Sequence, residues 1–207
     1  MDAAAGIPPA GPLSTYEKAG YALCPYVSGF VHTAQGPVPR VFTTLGKSDK
    51  TAAAKVRLGF NRDGYKVAPG LYCVGDPDQT AAVLVTSNYK LTFDHLRGKL
   101  NNVDAWLLVL DTRGINVWCA AGKGTFSTRE LVRRIKQTGL DKIVSHRTVV
   151  VPQLGATGVR ATDVKKQSGF AVIYGPVRAE DICRFLKNDK RADAGMRQVT
   201  FSFRERL

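Results

Sequence analysis

The feature that most constrains this chain is the run AWLLVL, Ala105–Leu110, apolar at every position between Asp104 and Asp111. Successive side chains of a strand point to opposite faces, so a strand apolar throughout is buried on both. Such strands belong to sheets that helices cover on each side, which makes this an α/β chain. NVWCAAGKG, Asn116 to Gly124, follows, and then STRELVRRIKQTG, whose Leu131, Val132 and Ile135 mark an amphipathic helix. A reactive group between strand and helix therefore stands at a strand's carboxyl end, where open α/β sheets place their ligands. Asn116 is an N-cap candidate, Val117 to Ala121 make barely one turn of good helix formers, and Gly122 and Gly124 end it. The turn presents one thiol, Cys119.

A Gly-Lys loop between strand and helix also suggests phosphate binding. That motif needs a glycine where Val117 stands and a Ser or Thr where Gly124 stands. Without them the backbone cannot wrap a phosphate and no hydroxyl reaches magnesium, so the thiol reading is preferred.

Around this centre the pattern alternates. LYCVG and AAVLVTS read as strands, TFDHLRGKL as a short helix, RTVVVP and FAVIYG as strands, and VRAEDICRFLKND as a helix. This places an α/β unit over residues 65–190. Residues 1–64 form a lead-in: the first 14 are rich in Ala, Gly and Pro and read as disordered, while VSGFVHTA and RVFTTL are β-like. Lys187 to Arg197 is charged, marking the domain's end or a surface helix. Residues 191–207 are a basic C-terminal segment in which TFSFRE alternates as a closing edge strand would.

Bulk properties narrow the function. The net charge of +13, from 30 Lys and Arg against 17 Asp and Glu, favours anionic partners such as an acidic protein or an anionic membrane surface. No nucleic-acid signature accompanies it, so nucleic acid is not an expected partner. The cysteines Cys24, Cys73, Cys119 and Cys183 lie far apart, which encodes neither a zinc nor a local iron-sulfur site. Small buried hydrophobe is the ordinary reading for Cys24, Cys73 and Cys183; Cys73 in LYCVG and Cys183 in DICRFL fit it, while Cys24, before Pro25 in an irregular region, has no assignment. His32 has no second ligand nearby, His95 falls on a helix surface, and His146 has no assigned role. No run of about eighteen apolar residues is present, so no bilayer span is expected within these residues.

NVWCAAGKGTF, with TSNYKLTFDHLR before it and VVVPQLGATGV and SGFAVIYGPVRAEDI after it, resembles the corrinoid-binding domain of two related groups. These are the corrinoid iron-sulfur protein large subunit and the mercury-methylating corrinoid protein, and the resemblance runs from about Tyr65 to Ile182. It implies a Rossmann-like sheet flanked by helices, with cobalamin held over the NVWCAAGK turn. By motif match the corrinoid contacts are Thr86, Ser87, Asn88 and Thr92; Asn116, Val117, Trp118, Cys119, Ala120, Ala121, Gly122 and Lys123; Gln153, Leu154 and Gly155; and Gly175 and Pro176. In the mercury-methylating branch the turn's Cys, here Cys119, is the lower axial ligand of cobalt. A soft, electron-rich thiolate trans to a methyl group favours its delivery to a soft electrophile such as mercury(II). Trp118 is read first as a core anchor and second as a face against the ring. The glycines of QLGATG and YGP suit close approach of backbone to the corrin.

The resemblance further implies a folate-linked methyl donor and a ferredoxin-like iron-sulfur electron donor. The cluster-binding Cys set of the iron-sulfur branch is missing, which favours the mercury branch. Its members carry a membrane domain after the corrinoid domain, which sets the expected location at the cytoplasmic face of the membrane. Lys187, Lys190, Arg191, Arg197, Arg204 and Arg206 would then face the leaflet. The alternatives are a methyl carrier of acetyl-coenzyme A metabolism and a non-catalytic cobalamin-binding module.

Overall fold

The computed structural model describes residues 24–60 and 64–198. In it the run Ala105–Leu110 is buried at every position, inside a seven-stranded mixed sheet. The strands are β1 (Val27–Thr33), β2 (Gly36–Val41), β3 (Gly70–Val74), β4 (Ala82–Ser87), β5 (Ala105–Leu110), β6 (Thr148–Val151) and β7 (Ala171–Tyr174). Their spatial order is β1-β2-β3-β5-β4-β6-β7. The four strands β5, β4, β6 and β7 run parallel, whereas β3 is antiparallel to β5 and β1 is antiparallel to β2.

Strand periodicity divides the core in two. On one face Val83, Val85, Trp106, Leu108, Leu110, Val149 and Val151 meet the helices α3 (Val117–Gly122), α4 (Thr128–Gln137) and α5 (Ala161–Ser168) through Val117, Ala120, Leu131, Ile135 and Val164. On the other, Leu84, Ala105, Leu107, Val109 and Val150 meet α2 (Lys90–Arg97) and α6 (Ile182–Lys187) through Phe93, Ile182 and Phe185. Phe93 also stands edge-on to the rings of Tyr26 and Tyr72, at 5.8 and 5.4 Å between centroids. The chain leaves β4 over one face to reach β5 and leaves β6 over the other to reach β7. The carboxyl ends of β4 and β6 therefore flank a topological switch point, where open α/β sheets form a ligand crevice.

Two helices escape the sequence reading. Helix α1 (Lys47–Arg57) buries only Val56, and α5 buries only Val164, so neither shows an apolar period. Polar bonds hold α1 instead: Gly46 N donates to Asp49 Oδ2 at 3.1 Å, and Asp49 meets Arg97 Nη2 at 2.8 Å and Lys90 Nζ at 2.9 Å. Helix α5 is legible by another route, since parallel neighbours such as β6 and β7 need a crossover, usually helical.

Arg97, whose side chain is fully buried, is the hub of this corner. Its Nε donates to Asp94 Oδ1 at 2.7 Å, and its Nη1 donates to the carbonyl of Phe42 at 2.5 Å. Lys90 Nζ lies 2.6 Å from Asp94 Oδ2. Burial pushes the Asp49 carboxyl up, but Lys90 and Arg97 outweigh it and hold the group below its usual range. The strand-rich lead-in is thus continuous with the sheet, through β2 beside β3 and through Asp49.

Of Cys73 and Cys183, both fitted to a buried reading, only Cys73 is buried, and burial pushes its thiol up to about 12. Cys24 and Cys183 are half-buried at the margin of the core, where Cys183 Sγ lies 3.0 Å from the Lys99 carbonyl. In the segment Lys187 to Arg197, a single 3-10 turn, Gly195–Arg197, follows α6 in place of a surface helix. Residues 1–14, the TFSFRE stretch, Arg204 and Arg206 lie outside the described residues. Among those described, no helix is long and apolar enough to cross a membrane.

Candidate functional site

Helix α3 stands at the carboxyl end of β5. Asn116 is extended (φ −62°, ψ 162°), and its Oδ1 accepts from Cys119 N at 2.9 Å, the N-cap bond that this residue type supplies. Val117, Ala120 and Ala121 face the core, which turns Trp118, Cys119, Gly122 and Lys123 outward. Trp118 is 54% exposed, so its expected role as a core anchor is corrected. The inward positions of the turn are already filled by smaller side chains, and the indole is left as part of an outer surface. Nothing lies within 4 Å of where a side chain would begin on Gly122 or Gly124, so this surface is open.

Beneath α3 the packing is tight. A Cβ on Gly158 would lie 2.0 Å from the Phe126 carbonyl oxygen and 3.1 Å from Ala121 Cα. One on Gly155 would lie 2.5 Å from the Phe126 ring, and one on Gly175 would lie 2.9 Å from Val150 Cγ1. Phe126 and Val150 thus account for the small residues at 155 and 175. Gly158→Ala is expected to destabilise the fold by about 1–3 kcal/mol, since backbone must move. Gly122→Ala should stay within about 1 kcal/mol of the parent, on the stabilising side, as helical alanine does. Thermal unfolding of both variants checks the contrast, and equal losses would contradict it.

The other residues singled out by motif fall along the same edge. Thr86 and Ser87 end β4, with 2% and 0% exposure. Ser87 shares the face of Val83 and Val85, the side of α3, and its buried hydroxyl has no hydrogen-bond partner among the described residues. Thr92 lies half-buried in the first turn of α2. Gln153, Leu154 and Gly155 form a 3-10 turn after β6, while Gly175 and Pro176 are buried after β7. Arg197 Nη1 donates to Gln153 Oε1 at 2.6 Å, which sets one of the basic C-terminal residues on this rim. Asn88 is buried, and its amide is bonded to the loop between β5 and α3. His95 pairs with Glu180 at 3.2 Å on the surface, as its helical setting suggested.

Sequence reasoning passed over Glu130, which is buried at the start of α4 and accepts from Asp111 N at 3.0 Å and Arg134 Nη2 at 2.7 Å. Its signal was Ser127-x-x-Glu130, the spacing of a capping box. Ser127 Oγ does accept from Glu130 N, at 3.4 Å, but the carboxylate serves the neighbouring loop.

Residues 61–186 of this edge-forming unit match the family described as CO dehydrogenase/acetyl-CoA synthase delta subunit. The chain belongs to that family. Among its relatives is the acetyl-CoA decarbonylase/synthase complex subunit gamma of Methanopyrus kandleri, 35% identical over 130 residues, which cover 62% of this chain and 28% of the relative. The subunit of the same name from Methanocaldococcus jannaschii is 34% identical over 125 residues, 59% of this chain and 25% of its own. The corrinoid/iron-sulfur protein large subunit of Moorella thermoacetica is 28% identical over 116 residues, covering 55% of this chain and 26% of that protein. The chain therefore spans only about a quarter of the length of these relatives. The match to the delta subunit family takes in β3 to β7 and every candidate site residue, from Thr86 to Pro176.

Proposed function

We propose that this chain is the corrinoid-binding part of a methyl carrier in acetyl-coenzyme A chemistry. The observation that carries the reading is the outward surface of α3, Trp118, Cys119, Gly122 and Lys123, near the switch point where β4 and β6 end. The names of the relatives support the same reaction class, one being a subunit of an acetyl-CoA decarbonylase/synthase complex and another a corrinoid/iron-sulfur protein. They do not support the mercury branch favoured from motifs alone. The residues present fit a corrinoid. Gly122 and Gly124 leave open space for a broad planar ring, and Ser87 offers a buried hydroxyl that no group among the described residues satisfies.

When bound, a corrinoid supplies a cobalt centre that takes up and releases a methyl group. The chain's part is to receive the ring on α3, keep water from one of its faces with Trp118, and offer the Cys119 sulfur as a donor. Thr86, Ser87, Thr92 and the turns at Gln153–Gly155 and Gly175–Pro176 would hold the ring's side chains and nucleotide tail at the switch point. An iron-sulfur electron donor and a folate-linked methyl donor are the partners such a role requires.

A second reading, methyl delivery to mercury(II), rests on Cys119 itself, because an exposed thiol in this turn is a soft ligand. Titration of the purified chain with hydroxocobalamin, followed by absorption, tests the shared premise: saturable one-to-one binding is expected, and none would end both readings. Methyl transfer from the loaded protein to an acetyl-CoA synthase, measured against transfer to mercury(II), separates them.

A further inference from the structure

We infer that Asn88 is a positioning residue, whose amide sets the loop that presents α3 and does not itself contact the corrinoid; the inference rests on the corrinoid reading of α3. Asn88 directly follows β4 and is 2% exposed. Its backbone is pinned on both sides, with its N–H donating to the Leu110 carbonyl at 3.0 Å and its carbonyl accepting from Val67 N at 2.9 Å. Asn88 Oδ1 accepts from Thr112 N at 3.0 Å and from Gly114 N at 2.9 Å, with the Thr112 hydroxyl also at 2.9 Å. Asn88 Nδ2 donates to Asp111 Oδ1 at 3.2 Å. The acceptor oxygen is saturated, so it has no lone pair left for a ligand.

The loop held in this way is conformationally unusual. Arg113 and Gly114 both have positive φ, 60° and 75°, a combination that an ordinary side chain such as Arg113 disfavours. Asp111 Oδ1 steadies the turn by accepting from Arg113 N at 3.1 Å, and the Thr112 hydroxyl lies 2.6 Å from the Ile115 carbonyl. From the opposite side Glu130 Oε1 accepts from Asp111 N, and Arg134, which holds Glu130, reaches the Pro69 carbonyl at 3.4 Å. Asn116 comes next and starts α3. The position of the Cys119 face thus depends on an amide at the end of β4 and a carboxylate at the start of α4.

The test uses three variants of the full chain: Asn88→Ala, Asn88→Asp, and Asn88→Asp combined with Asp111→Asn. The single Asp variant sets two carboxylates against each other, whereas the double variant restores a donor–acceptor pair between positions 88 and 111 but costs the Arg113 N–H the acceptor that Asp111 Oδ1 gives it. In cofactor-free protein, amide hydrogen exchange over residues 111–121, mapped by mass spectrometry, should rise about tenfold or more in both single variants. Peptides from β4, β5 and α6 should keep parental rates, and the double variant should recover part of the loop protection that Asn88→Asp loses. Cobalamin affinity of the loaded protein should fall and recover in parallel. Unchanged loop exchange in Asn88→Ala, a uniform rise across all peptides, or failure of the double variant to recover would overturn the assignment. Loss of cobalamin binding by the parent, with the loop result intact, would instead count against the corrinoid reading alone.

Discussion

Arg97→Met should lower the unfolding free energy by about 3–5 kcal/mol, the usual result of removing one partner from a buried charged network. The side chain is wholly buried and serves Asp94, Asp49 and the carbonyl of Phe42 together. Without it Lys90 remains to balance two carboxylates, and the Phe42 carbonyl loses a charged donor. The comparison is Arg184→Ala, whose side chain is 61% exposed and pairs with Asp181 and Asp193; its loss should be about 1 kcal/mol or less. Urea unfolding at neutral pH measures both, and similar losses would refute the buried-hub account.

The same network predicts an acid limb. Asp49 has a folded value below its unfolded one, so its contribution is present in full above the unfolded value, about 3.9, and fades as pH falls through the folded value. Between pH 7 and 5 Asp49 should add no slope. Below about pH 4 the parent should lose stability, and Asp49→Asn should flatten that decline.

Cys119→Ala should leave stability within about 0.5 kcal/mol of the parent, because the side chain is exposed and alanine suits a helical turn. Its effect on function should be much larger. If the sulfur is a cobalt donor, the absorption spectrum of the loaded protein should change to that of an oxygen-ligated or unligated form. Transfer to mercury(II) should then fall by at least about 100-fold, the upper range for losing even an outer partner of a metal site. Under the proposed reading, transfer to an acetyl-CoA synthase should retain a larger fraction of its rate. Cys183→Ala, at a half-buried position beside the Lys99 carbonyl, serves as the thiol control. A spectrum unaltered by Cys119→Ala would remove the sulfur from the cobalt and weaken the mercury reading with it.

Much of this arrangement was written in local patterns. Ala105–Leu110 showed a doubly covered strand because both its faces are apolar, and Asn116 showed a cap because its side chain bonds three residues on. The α/β class followed directly. Strand order did not, since the pairing of β4 with β5 and β6 depends on contacts far apart in sequence. The switch point was therefore invisible, although the residues that line it were named by motif. Helix α1 was hidden because its partners are charges on α2, which have no period to read. Trp118 misled because its size suggests burial, yet α3 has only three inward positions and small side chains occupy them. Asn88 carried no sign that its amide would be spent inside the protein, because its bonding partners lie beyond a whole helix and strand.

The pairing of β2 with β3 also bears on where the corrinoid unit can be cut. Repetitive alternation starts near Tyr65, which makes that residue an inviting start for a minimal domain. Such a fragment would lack β1, β2 and α1, and with them Asp49 and the Phe42 carbonyl that Arg97 needs. It would also bare the edge of β3, whose residues Leu71 to Val74 are apolar and buried in the intact sheet. An uncovered apolar edge is a template for strands of other molecules. Residues 24–60 are in this sense an edge guard, and the isolated unit would meet its own copies before it met a cofactor.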